Sequence, residues 1–268
     1  MRSARWSSPP REHPTAEAPV SPHHPAVAAA VRLHRSRGRV AAGETLLEGP
    51  HLVGSALNAG LRPIRVFVAQ GDAGGLALAG RCRCEVLVVD LRTLERLGTT
   101  EAPQGPIAVV AIPDEAPDPG GRVIVAWGVA DPGNCGTLIR IAAAFGYGYL
   151  SGPESADVWA PKVLRSGAGA HFSISIGTAV TLGEVRAGGR TVVATVARGG
   201  SVPGALPASV AVLVGNEAHG LPEDVVAAAD VRVTIPTSGA VESLNAAMAG
   251  AIVAYLGVSG TGTNLPAS

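Results

Sequence analysis

In VIVAWGVADPGNCGTLIRIAAAFG, residues 123–146, a continuous apolar run leads through a glycine-bearing turn into a helical pattern. Apolar residues then repeat at helical spacing and predict a helix over 133–146, whose core-facing positions are Leu138, Ile141, Ala142 and Phe145. Asn134 is the predicted N-cap. The turn offers G-x-x-G and not G-x-G-x-x-G, so it lacks the fingerprint of a dinucleotide-binding turn.

Working outward, apolar runs and helical patterns alternate to the end of the chain, in YGYLSG, FSISIG, TVVATVA, AVLVGNE and VRVTIP. Continuous valine and isoleucine runs between helices indicate an α/β fold with a mostly parallel sheet, covered on both faces. A second, shorter α/β alternation precedes it. The predicted segments are a disordered leader (1–25), a small α/β domain (26–112), a linker (113–121), the main α/β domain (122–258) and a flexible tail (259–268).

The composition limits the classes of function. The chain has 268 residues, of which 47% are hydrophobic, and its 21 basic and 21 acidic residues cancel. Such a chain can bury a core, but it does not bind nucleic acid through bulk charge, so any site for a polyanion is local. Three cysteines without a second close pair make a poor zinc signature, and no metal is predicted. Free thiols and the lack of a ~20-residue apolar run predict a cytoplasmic protein.

Arg140 and Glu217 are the first candidate functional residues. Arg140 lies off the apolar stripe of its helix, and its side chain leans back toward the loop at the helix N-terminus. Glu217 lies in LVGNEAHGLP, residues 213–222, directly after a strand, where open α/β sheets bind ligands. The alternative for Arg140 is a solvated arginine on an outer helix face. The alternative for Glu217 is a surface acid between two turn glycines.

A third stretch, IPTSGAVESLNAAMAGAIVAYL, residues 235–256, predicts a helix over 243–256. Its predicted core face consists of Leu244, Ala247, Met248 and Ala251. Ser243 and Asn245 are the polar exceptions. For Ser243, a helix cap and a functional role stay open.

The three stretches, in this order and spacing, resemble motifs one, two and three of the TrmH (SpoU) family, the RNA ribose 2′-O-methyltransferases of the SPOUT superfamily. RSRGRVAAGETLLEGPHLVGSAL and TTEAPQGPIAVV resemble the substrate-binding extension that precedes many of these catalytic domains. The departures are small: Thr237 stands where the family often has methionine, and Ile141 where it often has threonine.

The resemblance implies a C-terminal trefoil knot, an exception to the rule that chains do not thread themselves, as well as a homodimer that binds S-adenosyl-L-methionine. By motif position, it implies that the catalytic residues are Asn134, Arg140, Glu217, Ser243 and Asn245. The implied cofactor-binding residues are Thr195, Leu213, Gly215, Ile235 and Leu244. Asn134 is expected to hold Arg140 or the nucleotide, and Glu217 and Asn245 are expected to fix the loops and the methionine end of the cofactor.

Arginines supply the predicted local contacts with RNA. The candidates in the small domain and in the second helix of the main domain are Arg32, Arg35, Arg37, Arg39 and Arg165. The alternative, weighted equally, is that these arginines lie on solvated helix faces of a chain whose basic residues are mostly arginine.

The sequence therefore predicts methylation of a ribose 2′-hydroxyl in structured RNA, with ribosomal RNA favoured over transfer RNA by analogy with the family. A non-catalytic RNA-binding SPOUT protein that acts in ribosome assembly is the alternative, and the retained catalytic set argues against it. A nicotinamide oxidoreductase would need the missing fingerprint.

Overall fold

A computed structural model describes residues 18–114, 120–186 and 188–259 of the chain. Parts of the predicted leader, linker and tail, namely residues 1–17, 115–119 and 260–268, lie outside the described residues. The end of the predicted leader is ordered, contrary to expectation, because the Val20 N–H donates to the Val88 carbonyl at 2.9 Å. Within the described residues, no helix combines the length and the apolar character needed to cross a bilayer.

The N-terminal domain is a four-stranded mixed sheet with helices packed on it. Its strands are β1 (Glu44–Glu48), β2 (Arg65–Ala69), β3 (Glu85–Val89) and β4 (Ile107–Ala111), and its helices are α1 (Pro25–Arg32), α2 (Ser36–Ala42), α3 (Pro50–Asn58), α4 (Ala73–Gly80) and α5 (Leu91–Leu97). The strand order is β1-β4-β2-β3, and only β2 and β3 are parallel. The segment before β1 forms two short helices, α1 and α2, and the glycine-rich α4 is an element that the sequence patterns did not indicate.

The C-terminal domain is a six-stranded, entirely parallel sheet, which confirms the predicted fold class. Its strands are β5 (Val123–Ala126), β6 (Gly148–Ser151), β7 (Ile176–Gly177), β8 (Thr191–Thr195), β9 (Val210–Val214) and β10 (Val231–Val233), in the order β10-β8-β9-β5-β6-β7. The helices are α6 (Pro132–Phe145), α7 (Pro161–Gly167), α8 (Leu182–Arg186), α9 (Glu223–Ala228) and α10 (Ala246–Ser259), with a 3-10 turn at Ala170–Phe172. The carboxyl ends of β5, β8 and β9 therefore meet at one edge of the sheet.

Helix α6 begins earlier than predicted, and Asp131 rather than Asn134 is its N-cap. The Asp131 carboxylate accepts a hydrogen bond from the Asn134 backbone N–H at 2.8 Å, so the prediction for Asn134 was wrong and its amide is free for other partners. Of the predicted core face, Leu138 and Ala142 are buried and Ile141 and Phe145 are only partly buried against the core. The buried face also includes Cys135, Gly136 and Ile139. The reason is close packing on α7, since a Cβ at Gly136 would lie 2.5 Å from the Ser166 Cβ.

Helix α10 is shifted toward the C-terminus relative to the prediction, and Met248 is 60% exposed instead of buried. The residues that face the core are Ala246, Ala247, Gly250, Val253, Ala254, Gly257 and Val258. Because this helix is apolar on almost every side, its sequence pattern fits several rotational settings. The close approach of Gly250 to Leu138 selects one of them, since a Cβ there would lie 2.6 Å from Leu138 Cδ2.

Two polar contacts join the two domains. Arg39 is 3% exposed and forms an ion pair of 2.5 Å with Asp157, and the Thr45 hydroxyl donates to the Trp159 carbonyl at 2.8 Å. One hydrophobic cluster contains residues of both domains, including Leu47 and Val163. The N-terminal domain is thus held in a defined position beside the C-terminal domain.

His171 is buried at this junction, between Trp159 and Phe172. Its Nε2 lies 3.0 Å from the Val158 carbonyl, and among the described residues its buried Nδ1 has no hydrogen-bond partner. Burial lowers the pKa of His171 from 6.5 to about 4, although the Val158 carbonyl opposes the shift. The folded protein therefore keeps this imidazole neutral at neutral pH.

We expect His171 to make the protein less stable as the pH falls from about 6.5 toward 4. In this window His171 binds a proton in the unfolded chain but not in the folded one. This difference lowers the free energy of unfolding by up to about 3 kcal/mol. Urea unfolding of wild type and His171→Gln at several pH values measures the difference. His219→Gln, in an exposed loop, is the control. An identical pH dependence in wild type and His171→Gln would contradict the assignment.

Candidate active site

The loop after β9 closes on itself, which brings an acid to the sheet edge. Asn216 and Gly220 exchange two backbone hydrogen bonds of 3.0 and 2.9 Å, and Gly220 has a φ of 69°, a conformation that favours glycine. A Cβ at Gly215 would lie 2.3 Å from the backbone carbon of Gly220, so only glycine allows this closure. The loop thereby places Glu217 at its exposed tip.

Asn216 is a site-building residue that sequence reasoning missed. Its side-chain oxygen accepts hydrogen bonds from the backbone of Ala218 and His219 at 2.8 and 3.1 Å, and its amide donates to the Gly128 carbonyl at 2.8 Å. Asn216 therefore fixes the loop after β9 against the loop after β5. An asparagine that precedes a glycine-bounded turn was the available signal, because such side chains hydrogen-bond their own backbone two residues on.

Three of the predicted catalytic residues, one from each motif, form a continuous hydrogen-bonded chain. The Asn245 amide donates to the Asn134 side-chain oxygen at 2.9 Å, and the Asn134 amide donates to the Glu217 carboxylate at 2.8 Å. We call Glu217, Asn134 and Asn245 the polar triad. It connects the loops that follow β5, β9 and β10.

The direction of the hydrogen bonds in the polar triad is fixed by the backbone. The Asn245 side-chain oxygen accepts from the N–H groups of Ala247 and Met248 at 3.0 and 3.2 Å, so Asn245 is the N-cap of α10. Its amide is left to donate, Asn134 must accept at one end and donate at the other, and Glu217 receives the final bond as a carboxylate. Ser243, the other proposed cap, lies exposed before the helix, which leaves its functional role open.

Arg140 stands apart from the polar triad. It is exposed on α6, and no described residue forms a hydrogen bond or ion pair with its side chain. The expected contact between Asn134 and Arg140 is therefore absent from the described residues, because both polar groups of the Asn134 side chain are used by Glu217 and Asn245. The Arg140 guanidinium is available to a ligand outside the chain.

A cavity of about 600 Å³ opens among the loops after β8, β9 and β10. Of the predicted cofactor residues, those that line it are Thr195, Gly215, Ile235 and Leu244. Of the predicted catalytic residues, Glu217 and Ser243 line it. Leu213 is fully buried in β9, and its carbonyl accepts a 2.8 Å hydrogen bond from the Thr195 hydroxyl, so it supports the wall from behind.

Cys135 follows Asn134 on α6, and its thiol is not a nucleophile at neutral pH. Its sulfur is 3.1 Å from the Tyr149 hydroxyl, and both groups are buried. Burial raises the pKa of the Cys135 thiol to about 11, although the hydrogen bond with Tyr149 opposes the shift. The thiol therefore stays protonated.

The predicted RNA-binding arginines are separated by the structure into two groups. Arg32, Arg35 and Arg37 are exposed in the N-terminal domain. Arg39 is buried in its ion pair with Asp157, which corrects the prediction that it contacts RNA. It belongs to the domain junction instead.

Arg165 also lies at the junction. Its guanidinium donates to the Thr99 hydroxyl and lies 3.9 Å from the Glu48 carboxylate, so the protein itself engages it. Burial works to raise the pKa of Glu48, but hydrogen bonds from Thr100 and Thr99, together with the charge of Arg165, outweigh burial and hold that pKa below its ordinary value. Glu48 is therefore an ionised partner for Arg165 at neutral pH.

Comparison with known proteins identifies the family. The SpoU rRNA Methylase family matches residues 121–255, and the MRM3-like substrate binding domain matches residues 24–108. The chain therefore belongs to the SpoU rRNA methylase family, which confirms the resemblance drawn from the three motifs.

Individual relatives agree over most of the chain. A 23S rRNA (guanosine(2553)-2′-O)-methyltransferase of Bacillus subtilis is 32% identical over 84% of this chain and 92% of its own length. A 23S rRNA (uridine(2479)-2′-O)-methyltransferase of Streptomyces viridochromogenes is 31% identical over 81% of this chain and 83% of its own. The crystal structure of the SpoU methyltransferase AviRb from Streptomyces viridochromogenes with AdoMet matches with a TM-score of 0.79 and 28% identity, covering 88% of this chain and 98% of that one.

Proposed function

We propose that this protein transfers a methyl group from S-adenosylmethionine to a ribose 2′-hydroxyl of ribosomal RNA. The observation that carries the proposal is the polar triad, which joins one residue of each motif beside a cavity of about 600 Å³. The substrate class is supported by the relatives of Bacillus subtilis and Streptomyces viridochromogenes, which are named as 23S rRNA 2′-O-methyltransferases.

The residues of the cavity fit this cofactor. A volume of about 600 Å³ suits a small-molecule site, and its wall combines apolar side chains with backbone groups of a tightly closed loop. When bound, S-adenosylmethionine supplies a methyl group carried on a positively charged sulfur. The residues that would hold it are Thr195, Gly215, Ile235 and Leu244.

In the proposed reaction the protein acts mainly by positioning and electrostatics. Well-oriented reactants can lower a barrier by roughly 7 to 11 kcal/mol, and the polar triad fixes the three loops that surround the reaction site. Arg140 is the group that binds the RNA phosphate and stabilises negative charge developing on the 2′-oxygen. A guanidinium offers only hydrogen-bond donors and no acceptor, so Arg140 is not assigned as the base.

RNA is bound by local contacts rather than by long-range attraction. The formal net charge of the chain is zero, so the exposed Arg32, Arg35 and Arg37 are the proposed phosphate contacts of the N-terminal domain. Neutral substitution of these arginines would weaken RNA binding without changing cofactor affinity.

The proposed active form is a homodimer, supported by an apolar stripe on α10. Met248 and Tyr255, two turns apart, are 60% and 55% exposed, and the Tyr255 ring lies 5.9 Å from that of Phe145 on α6. Exposed aromatic and methionine side chains on one face of a helix are typical of interface cores.

We expect the double variant Met248→Glu/Tyr255→Glu to sediment as a monomer, because paired carboxylates would have to be buried at the interface. Analytical ultracentrifugation of wild type and variant measures the change. Val202→Glu, at another exposed apolar position (69%), is the control and leaves a dimer intact. A monomeric wild type at micromolar concentration would contradict the proposed state.

The proposed function is tested by binding and transfer together. Calorimetry with S-adenosylhomocysteine and with NAD separates a methyltransferase from a nicotinamide enzyme, and we expect only the first ligand to bind. Tritiated S-adenosylmethionine is then offered with ribosomal RNA and, in parallel, with transfer RNA. Cofactor binding without transfer to either RNA would favour a non-catalytic RNA-binding protein.

A further inference from the structure

Two side chains of opposite charge, Arg198 and Glu242, lie on the wall of the 600 Å³ cavity and take no part in the polar triad. Both are exposed, and in the part of the chain that the structure describes neither side chain has a hydrogen bond or an ion pair. Arg198 follows β8, and Glu242 lies in the loop between β10 and α10. Two free and opposite charges on one cavity wall suit a ligand that carries both signs.

The turn that carries Arg198 is rigidly attached to the beginning of the loop that carries Glu242. The Gly200 N–H donates to the Thr234 hydroxyl at 2.9 Å, and the Thr234 N–H donates to the Ser201 carbonyl at 2.9 Å. A Cβ at Gly200 would lie 2.7 Å from the backbone of Val233, so the two segments are in direct contact. Arg198 therefore extends from a backbone whose position relative to the cavity is fixed.

The other charged group in the cavity already has a partner. The Glu217 carboxylate accepts the hydrogen bond from Asn134, which leaves Arg198 as the arginine of the wall and Glu242 as its unengaged carboxylate. An arginine guanidinium binds a carboxylate through two parallel hydrogen bonds, and a carboxylate binds an ammonium group. The two ends of an α-amino acid offer these two partners.

We infer that Arg198 binds the α-carboxylate, and Glu242 the α-ammonium, of the amino-acid end of the cofactor. The inference rests on the proposed function and adds two residues that the sequence did not single out: Arg198, which lies outside the three motifs, and Glu242, which lies in the third. The nucleoside is then held by the apolar part of the wall, around Ile235 and Leu244. Arg198 and Glu242 would make the site selective for cofactors that keep an intact amino acid.

Two ligands that differ only in this end test the inference. S-Adenosylhomocysteine carries the amino acid, whereas 5′-methylthioadenosine has the same nucleoside and thioether sulfur without it. By calorimetry, we expect Arg198→Met to bind S-adenosylhomocysteine about 10- to 100-fold more weakly, the loss typical of a hydrogen bond between charged groups, and 5′-methylthioadenosine as wild type does. Glu242→Gln should show the same selectivity with a smaller loss.

Matched controls remove the same charges nearby but outside the cavity wall. Arg232→Met, on β10, and Glu223→Gln, in the first turn of α9, should leave both affinities unchanged. Equal weakening of both ligands by Arg198→Met would place Arg198 on the nucleoside and overturn the inference, and so would unchanged binding of S-adenosylhomocysteine. A wild type that binds neither ligand would instead overturn the proposed function.

Discussion

Replacing Arg140 by alanine is expected to lower methyl transfer to RNA by about 100- to 1,000-fold, the loss typical of removing one group that stabilises charge in a transition state. The affinity for S-adenosylhomocysteine should stay that of wild type, because Arg140 is exposed on α6 and does not line the cavity. Single-turnover transfer of a tritiated methyl group, with calorimetry in parallel, measures both quantities.

Charge alone does not explain the expected effect of Arg140. Arg140→Lys keeps the charge but loses the planar fork that binds phosphate at two points, so we expect partial activity. Arg92→Ala, which removes an exposed arginine from α5 in the N-terminal domain, is the control and should transfer methyl groups normally. Wild-type turnover by Arg140→Ala would remove Arg140 from the proposed mechanism.

Replacing Gly215 by alanine is expected to weaken S-adenosylhomocysteine binding by about 10- to 100-fold. The reason is that the added methyl group overpacks the cavity wall, at a cost of about 1–3 kcal/mol. The added Cβ would lie 2.3 Å from the Gly220 carbon and 2.5 Å from the Leu221 nitrogen, both backbone atoms that cannot rotate away. The loop that presents Glu217 must then open.

The matched control for Gly215 is Gly204→Ala, where an added Cβ meets no atom within 4 Å. Calorimetry gives the affinities, and thermal unfolding separates a local change in the loop from a global loss of stability. If Gly215→Ala bound S-adenosylhomocysteine as tightly as Gly204→Ala does, the closed loop would not be part of the cofactor site.

Much of the C-terminal domain is predictable because its strands are buried on both faces. β5 and β9 are buried along their whole length, so they read as continuous apolar runs, and parallel strands bring the loops after them to one edge. The motif resemblance supplied the candidate residues but not their pairing, and the structure joins Asn134, Glu217 and Asn245 in one chain of hydrogen bonds.

The remaining features depend on long-range packing that local patterns do not record. In the sequence, Arg39 resembles the surface arginines near it. In the fold it is buried and paired with Asp157, which is distant in sequence. The rotational setting of α10 follows from the close approach of Gly250 to Leu138, not from the helix itself. Asn216 was missed because its decisive bond reaches the Gly128 carbonyl of another loop. The trefoil knot stays a prediction.

The most direct measurement locates the methyl group on the RNA. Purified protein is incubated with tritiated S-adenosylmethionine and with ribosomal RNA from cells that lack this protein. The RNA is then digested to nucleosides, which are separated. We expect the label to elute as a 2′-O-methylnucleoside and the modified linkage to resist alkaline cleavage. Label on a base, or a protein that binds S-adenosylhomocysteine and transfers nothing to any RNA, would contradict it.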